Sequence, residues 1–190
     1  MSKDIIVKKG LDINLVGDAS KTLDISKDSK LFSVYPDDFH GVYPRLTVKV
    51  DDKVKVGDVL FFDKNNEEVK FVSPISGKIS EIQRGERRKV VSIDIQSDKN
   101  NDYKDLGKLD AKSDKSKIIE YLLNSGLWPF IKQRPYDIIA DYKIQPKAIF
   151  ISGFSSAPLS ADLDFISQDY QDKIQNAINV LSKLTDGEVH

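Results

Sequence analysis

Val48-Lys-Val-Asp-Asp-Lys-Val-Lys-Val-Gly-Asp-Val-Leu-Phe61 and Val72-Ser-Pro-Ile-Ser-Gly-Lys-Ile-Ser-Glu-Ile82 are the two stretches of sequence that decide the fold. Each alternates apolar and polar residues with a period of two, which is typical of strands with one buried face. Gly57 in the first stretch, and Pro74 and Gly77 in the second, fall where such strands must turn. The pattern predicts two strand–turn–strand units that are joined by a hairpin and folded around one small core.

The composition excludes several classes of function. The 190 residues have a formal net charge of −1, so no overall field attracts nucleic acid. The absence of cysteine excludes disulfides, thiolate catalysis and cysteine-held metal clusters in this chain. With only His40 and His190, we expect no multi-histidine metal site. No apolar run approaches the roughly 20 residues that span a bilayer, so we expect no transmembrane segment and a cytoplasmic location.

Shorter patterns surround the two central stretches. Residues 4–16 alternate around a glycine and predict two short strands, and residues 90–95 predict another. The basic segment 84–89 is expected to be a solvated hairpin tip, with phosphate binding as the alternative. Residues 98–112 are polar and predict a linker.

The next segment predicts a helix that ends at a glycine. Ser113 or Asp114 can cap its first turn, and Gly126 fits the position that follows its last turn. One face of this helix is apolar and consists of Ile118, Ile119, Leu122 and Leu123.

The C-terminal part predicts a strand followed by a helix. The continuous apolar run at residues 147–153 is typical of a strand buried on both faces of a parallel sheet. A helix is predicted over roughly residues 165–184, with Asp164 as its cap and Gly187 as its terminator. Residues 188–190 predict the onset of another strand. Because one βα unit cannot form a parallel sheet, we expect a fragment of a longer protein.

These patterns allow two further functions to be considered, dinucleotide binding and a carrier domain. The loop at residues 151–158 lacks the G-x-G-x-x-G spacing that lets the backbone approach a pyrophosphate, and Phe154 and Pro158 are bulky where small residues are expected. The sequence therefore disfavours dinucleotide binding. The two central stretches resemble the halves of a biotinyl or lipoyl carrier domain. Such a domain presents its modified lysine on the hairpin between the halves, where Lys64 stands without a Met-Lys-Met or Asp-Lys-Ala context. A carrier function stays open on Lys64 alone.

Ordered matches along the whole chain resemble the family of A subunits of bacterial Na⁺-translocating NADH:quinone oxidoreductases. They are Ile6-Val-Lys-Lys-Gly-Leu-Asp12, Val54-Lys-Val-Gly-Asp-Val-Leu-Phe61, Ser73-Pro-Ile-Ser-Gly77, Arg84-Gly-Glu86, Leu122-Leu-Asn-Ser-Gly-Leu-Trp128, Arg134-Pro135, Ala148-Ile-Phe-Ile-Ser152 and Ala157-Pro-Leu-Ser-Ala-Asp162. Chains of that family are more than twice as long. The resemblance therefore agrees with a fragment and implies that the missing part completes the α/β domain and adds further domains.

The resemblance implies a fold of two classes, α+β and α/β. A β-rich barrel-sandwich hybrid of the biotinyl/lipoyl type is expected at residues 1–105. Residues 106–145 are expected to be a linker with one helix and an aromatic loop. The truncated start of a Rossmann-like α/β domain is expected at residues 146–190.

The resemblance also implies a peripheral subunit on the cytoplasmic face of the bacterial inner membrane, in a six-subunit sodium-pumping complex. In that family the NADH, flavin and iron–sulfur sites lie on other subunits, and this subunit has been linked to quinone binding. The chain is also similar to the flavin-binding subunit of complex I and the C subunit of the Rnf complex. Those relatives have a glycine-rich run where this sequence has Trp128-Pro-Phe-Ile-Lys-Gln-Arg134. We therefore expect no cofactor in this chain and quinone as the ligand of the full subunit.

Two segments, Phe32 to His40 and Trp128 to Tyr136, combine flat aromatic rings with basic side chains. The rings can stack on a quinone, and the basic side chains can donate to its carbonyl oxygens. The candidate residues for quinone contact are Phe32, Tyr35, Phe39, His40, Trp128, Phe130, Arg134 and Tyr136. Packing inside the protein is the alternative role for these rings. The alternative function is a purely structural docking subunit that holds neighbouring subunits together.

Overall fold

The computed structural model describes residues 6, 10, 15–17, 20–23, 29–109, 112–155, 157 and 159–190. The chain divides into two compact units. The barrel unit is Lys27–Ile144, and the C-terminal unit is Gln145–His190 together with Met1–Ser26. The strands predicted within residues 4–16 lie outside the described residues, apart from isolated positions. The domain boundaries expected near residues 105 and 145 stay a prediction.

The barrel unit consists of short antiparallel sheets and one helix. Its elements are β1 Leu31–Val34, β2 Pro44–Leu46, β3 Lys53–Val54, β4 Val59–Asp63, β5 Asn66–Val72, β6 Gly77–Arg84, β7 Val90–Ser97, α1 Lys115–Asn124, β8 Lys132–Gln133 and β9 Ile138–Ile139. The strand orders are β1-β7-β6-β3 in one sheet and β2-β4-β5 in the other, and β8 and β9 form a separate hairpin. This architecture confirms the predicted β-rich barrel-sandwich fold.

The two central stretches form β3 to β6 in the predicted order. Gly57 has a φ of +89°, which a residue with a Cβ rarely adopts, so glycine is required in the first turn. The N–H of Gly57 donates to the carbonyl of Ser73 at 2.9 Å, and the N–H of Ser73 donates to the carbonyl of Asp58 at 2.8 Å. The two predicted turns are therefore hydrogen-bonded to each other, which pairs the two halves of the barrel.

The core of the barrel unit lies under β4, β5, β6 and β7. Its buried apolar residues include Leu60, Phe61, Val69, Phe71, Ile79, Ile93 and Ile95. Phe61 and Phe71 are stacked, with ring centroids 4.4 Å apart. Burying such a side chain contributes about 1.5–3 kcal/mol, so these few residues account for much of the stability of this unit.

The helix α1 has the ends that its sequence predicts. The Asp114 carboxylate accepts a hydrogen bond from the N–H of Lys117 at 2.9 Å, so Asp114 is the cap. Gly126 follows the helix with a φ of +71°. A Cβ on Gly126 would lie 2.6 Å from a methyl group of Val72. The glycine therefore lets the end of α1 approach β5, and Ile118 is buried in this packing.

Residues 98–104 belong to the barrel, so the linker predicted at 98–112 is wrong for this part. Tyr103 forms a parallel bridge with Val56. The hydroxyl of Ser76 donates to Asp98 Oδ1 at 2.6 Å and accepts from the N–H of Asp102 at 3.2 Å. Polar residues attach this segment through hydrogen bonds, which an apolar periodicity cannot reveal.

Replacing Asp98 with asparagine is expected to make the barrel unit less sensitive to acid. The hydrogen bond from Ser76, with that from the N–H of Asn100, holds the pKa of Asp98 below its ordinary value. The carboxylate therefore stabilises the fold above its unfolded pKa of about 3.9, and this contribution is lost as pH falls through the lower folded pKa. Urea unfolding between about pH 5 and pH 2 measures the difference. Asp102→Asn is the matched control, and an equal acid sensitivity of Asp98→Asn and the parent would contradict the prediction.

The C-terminal unit contains the predicted second helix in several pieces. They are α2 Leu163–Ser167, a 3₁₀ turn Gln168–Tyr170, α3 Gln171–Leu181 and a 3₁₀ turn Ser182–Leu184. The cap is Asp162, whose carboxylate accepts from the N–H of Phe165 at 3.0 Å, and not the predicted Asp164. Among the described residues, none of the helices is both long and apolar enough to cross a bilayer.

The strand predicted at residues 147–153 is present only as one parallel bridge between Ile149 and Val189. The predicted onset of a strand at residues 188–190 supplies that bridge. Phe150 is 78% exposed and Ile151 is 41% exposed, so the prediction that this strand is buried on both faces is wrong for this structure. Among the described residues, the bridge joins the strand to a neighbour on one edge, and the apolar side chains of Phe150 and Ile151 are exposed.

Candidate functional site

The structure brings the two predicted segments together at Phe39 and Phe130. Their rings meet edge to face with centroids 5.8 Å apart. The ammonium of Lys132 lies 5.8 Å from the centre of the Phe39 ring. The Phe39 ring also packs edge to face against Phe71, with centroids 4.7 Å apart. We call Phe39, Phe71, Phe130 and Lys132 the aromatic cluster, which extends from the barrel core to the surface.

A short 3₁₀ turn positions Phe39 in the cluster. The turn spans Pro36–Asp38, and its buried proline accepts a hydrogen bond at its carbonyl from the N–H of Phe39 at 3.1 Å. Asp37 pairs with Lys89 at 2.7 Å, which attaches the turn to the basic hairpin tip. Both groups of this ion pair are exposed, so it contributes at most about 1 kcal/mol. Proline and the packing on Phe71 therefore hold Phe39 more than the ion pair does.

Trp128 supports the second segment from inside. Its side chain is 5% exposed, and the indole N–H donates to the carbonyl of Ala140 at 2.7 Å. Its ring also meets Tyr142 edge to face at 6.3 Å. Phe130, two residues later on the same 3₁₀ turn, is 68% exposed. Of these two predicted quinone contacts, only Phe130 is exposed to solvent.

The remaining predicted residues lie at the surface around these elements. Arg134 and Tyr136 lie on the β8–β9 hairpin, where Arg134 pairs with Asp137 at 3.6 Å and Tyr136 is 72% exposed. Phe32 lies in β1 opposite Ile95. Tyr35 and His40 are exposed at the two ends of the Phe39 turn. No ring contact within the described part of the chain joins these five residues to the aromatic cluster.

Phe71 and Lys132 are the cluster members absent from the predicted contact residues. Phe71 belongs to an alternating strand and looks like any other core residue in the sequence. Lys132 is two residues from Phe130 in the sequence, and this short separation was the one signal that its ammonium could lie near an aromatic ring. The sequence does not connect either residue with Phe39, because only the tertiary fold brings them together.

A groove of about 460 Å³ lies between the barrel and α1. It is lined by Val59, Lys70, Lys104, Asp105, Leu106, Glu120, Tyr121 and Asn124. Lys70 donates to Asn124 at 2.6 Å, so one of the two ammonium groups in the groove already has a partner. Two lysines face two carboxylates, and the groove therefore favours no charge of ligand.

The position of Lys64 agrees with the carrier alternative, but nothing else at this turn supports it. Lys64 is exposed in the two-residue turn between β4 and β5, which is the hairpin tip expected of a carrier lysine. Asp63 accepts from the N–H groups of Tyr43 and Asn65, so the flanking residues build the turn.

Among the described residues, no group of three or more histidines and acids could hold a metal ion.

Two family models match successive parts of the chain. Residues 5–98 match a family model described as the NqrA N-terminal barrel-sandwich hybrid domain. Residues 113–190 match a model described as the NqrA second alpha/beta domain. The predicted β-rich barrel-sandwich fold and the predicted α/β fold that follows it are thereby confirmed, and the second model begins at residue 113, inside the barrel unit.

Curated relatives match almost the whole chain, and each is named as the A subunit of a Na(+)-translocating NADH-quinone reductase. The relative from Marinomonas sp. (strain MWYL1) is 33% identical over 96% of this chain and 42% of its own length. That from Saccharophagus degradans is 34% identical over 97% of this chain and 42% of its own length. That from Vibrio alginolyticus is 32% identical over 98% and 42%, respectively. The chain thus spans less than half the length of these relatives, and it belongs to the NqrA family.

Proposed function

We propose that this chain is part of a peripheral, quinone-binding subunit of a sodium-pumping NADH:quinone reductase, located at the cytoplasmic face of the membrane. The relatives are named as one subunit of such a reductase, which supports other subunits as partners. The observation that supports quinone binding is the exposed Phe130 ring, which packs on Phe39 beside the Lys132 ammonium. The proposal gives this chain no flavin or iron–sulfur centre of its own. The lack of cysteine supports the absence of an iron–sulfur centre from this chain.

The aromatic cluster has the groups that a quinone ring requires. The exposed ring of Phe130 can stack on a flat ring, which contributes about 0.5–1.5 kcal/mol beyond the buried area. The ammonium of Lys132 can donate to a quinone carbonyl, and a hydrogen bond of this charged kind contributes about 1.5–3 kcal/mol. Together they contribute about 2–4.5 kcal/mol, and only the upper end of this range reaches the roughly 4 kcal/mol of a millimolar Kd. The described residues therefore provide one wall of a site, and we expect the assembled complex to supply the rest.

Replacing Phe130 with alanine is expected to reduce photo-cross-linking of an azido-quinone to this subunit by about tenfold in the assembled complex, since one stacking partner and its buried area are lost. Peptide mapping should place the label of the parent on segments 37–41 and 128–134. Tyr43→Ala is the matched control, because Tyr43 is 63% exposed and lies outside the cluster. Labelling of the parent complex only outside this subunit would sink the proposal.

A docking subunit without a ligand is the second candidate, and one observation favours it. Leu127, Phe130, Tyr136 and Ile138 are all exposed apolar side chains within one short segment, and exposed apolar patches mark interaction surfaces. The same Phe130→Ala variant distinguishes the candidates. A lower yield of assembled complex with unchanged quinone labelling per complex would establish docking instead.

A further inference from the structure

The hairpin tip between β6 and β7 is a tight turn with arginine at both central positions. The N–H of Lys89 donates to the carbonyl of Glu86 at 3.1 Å, which closes a turn of four residues. The central residues, Arg87 and Arg88, have φ angles of +53° and +61°. A hairpin turn with two positive φ angles normally contains Asn-Gly or Gly-Gly, because a Cβ disfavours this conformation. The two arginines therefore stand where the backbone favours other residues.

Basic side chains cover this tip. All residues from 84 to 89 are exposed. The guanidinium of Arg84 donates to the carbonyl of Arg88 at 3.1 Å, which places a third guanidinium group against the turn. Lys89 pairs with Asp37 at 2.7 Å, so its charge is balanced. Besides that ion pair, the tip has three guanidinium groups and one carboxylate, in a chain whose formal net charge is −1. The positive field is therefore local to the tip.

The chemistry and the shape of the tip indicate an extended anionic surface as its partner. A guanidinium group binds a phosphate through two parallel N–H donors. Because every residue of the tip is exposed, the tip does not enclose a small anion, but it can touch many phosphates on a surface. Residues with unfavourable φ angles cluster at functional sites.

We propose that the hairpin tip, residues 84–89, binds the phosphate headgroups of anionic phospholipids and attaches the subunit to the membrane surface. The proposal rests on the proposed function for the membrane location and does not depend on quinone binding. Basic residues close to an anionic membrane are attracted to it over a distance that salt limits. We therefore expect binding to weaken as the salt concentration rises.

Sedimentation of this chain with vesicles tests the charge of the tip. We expect binding to phosphatidylcholine vesicles only when they contain phosphatidylglycerol. Arg87→Gln/Arg88→Gln should weaken that binding about 25-fold, because each basic residue near an anionic membrane contributes about fivefold. Lys99→Gln/Lys108→Gln is the matched control, since it removes two exposed positive charges outside the tip. Quinone labelling of the assembled complex should stay unchanged in both variants, so this proposal and quinone binding can fail separately.

The conformation of the turn provides a second measurement. Arg87→Asn/Arg88→Gly introduces residues that the turn favours. We expect it to raise the thermal unfolding midpoint by about 5 °C and to weaken vesicle binding as much as the double glutamine substitution. A gain in stability with a loss of binding would show that the arginines serve the contact and not the fold.

Three outcomes would overturn the inference. Equal binding to vesicles with and without phosphatidylglycerol, or equal binding by the parent and Arg87→Gln/Arg88→Gln, would exclude the tip as the contact. Suppression of vesicle binding by millimolar inorganic phosphate at constant ionic strength would make free phosphate the ligand. A lower yield of assembled complex with unchanged vesicle binding would make an acidic protein surface the partner. Circular dichroism verifies that each variant is folded, and the glutamine variant decides the matter if Arg87→Asn/Arg88→Gly does not fold.

Discussion

Gly77→Ala is expected to destabilise the barrel unit by about 3–5 kcal/mol, near the upper limit of single substitutions. A Cβ on Gly77 would lie 2.0 Å from the carbonyl oxygen of Gln96 and 3.1 Å from the Cα of Ser97. Both atoms belong to the backbone of β7, which pairs with β6 along its length. The added methyl group can fit only if the two strands separate, which would break hydrogen bonds next to the core residues Ile79 and Ile95.

Urea unfolding followed by circular dichroism measures this loss. Gly153→Ala is the control, because a Cβ there meets no atom of the described residues within 4 Å and its φ is not in the left-handed region. We expect the control to change the free energy of unfolding by no more than about 1 kcal/mol, mainly through the unfolded chain. An unchanged unfolding midpoint for Gly77→Ala would show that β6 and β7 do not approach as closely as the structure has them.

Phe71→Ala is expected to cost about 3–5 kcal/mol and to weaken quinone labelling at the same time. The ring is 3% exposed and stacks on Phe61, so its removal leaves a cavity in the core. It also packs against Phe39 at 4.7 Å, so its removal takes away one of the two supports that hold Phe39 beside Phe130. Stability and function are therefore coupled at this residue.

Phe130→Ala separates these two effects. Phe130 belongs to the same cluster and has the same side chain, but it is 68% exposed, so we expect a stability change within about 0.5 kcal/mol. Calorimetry of both variants, with quinone cross-linking in the assembled complex, provides the comparison. If Phe71→Ala lowers stability but leaves cross-linking unchanged, the cluster does not position the quinone.

Local rules explain which expectations the structure confirmed. The strand–turn–strand order of the barrel follows from a period of two, and the ends of α1 follow from Asp114 and Gly126. These signals act over a few residues and need no knowledge of distant partners. Where capping was ambiguous, the geometry chose Asp162 over Asp164. Both carboxylates stand at a plausible start, and only the direction in which the chain enters the helix distinguishes them.

By itself the sequence determined the alternation of β3 to β6, the positions of their turns, the helix around Ile118 and the absence of any cysteine chemistry. The tertiary structure alone decided that Phe39 and Phe130 share a cluster with Phe71, that Trp128 is a buried support, and that residues 98–104 are part of the barrel. The physical reason is the range of the forces involved. Periodicity and capping are set by neighbours along the chain, whereas ring packing and the attachment of polar segments depend on which strands the fold brings together.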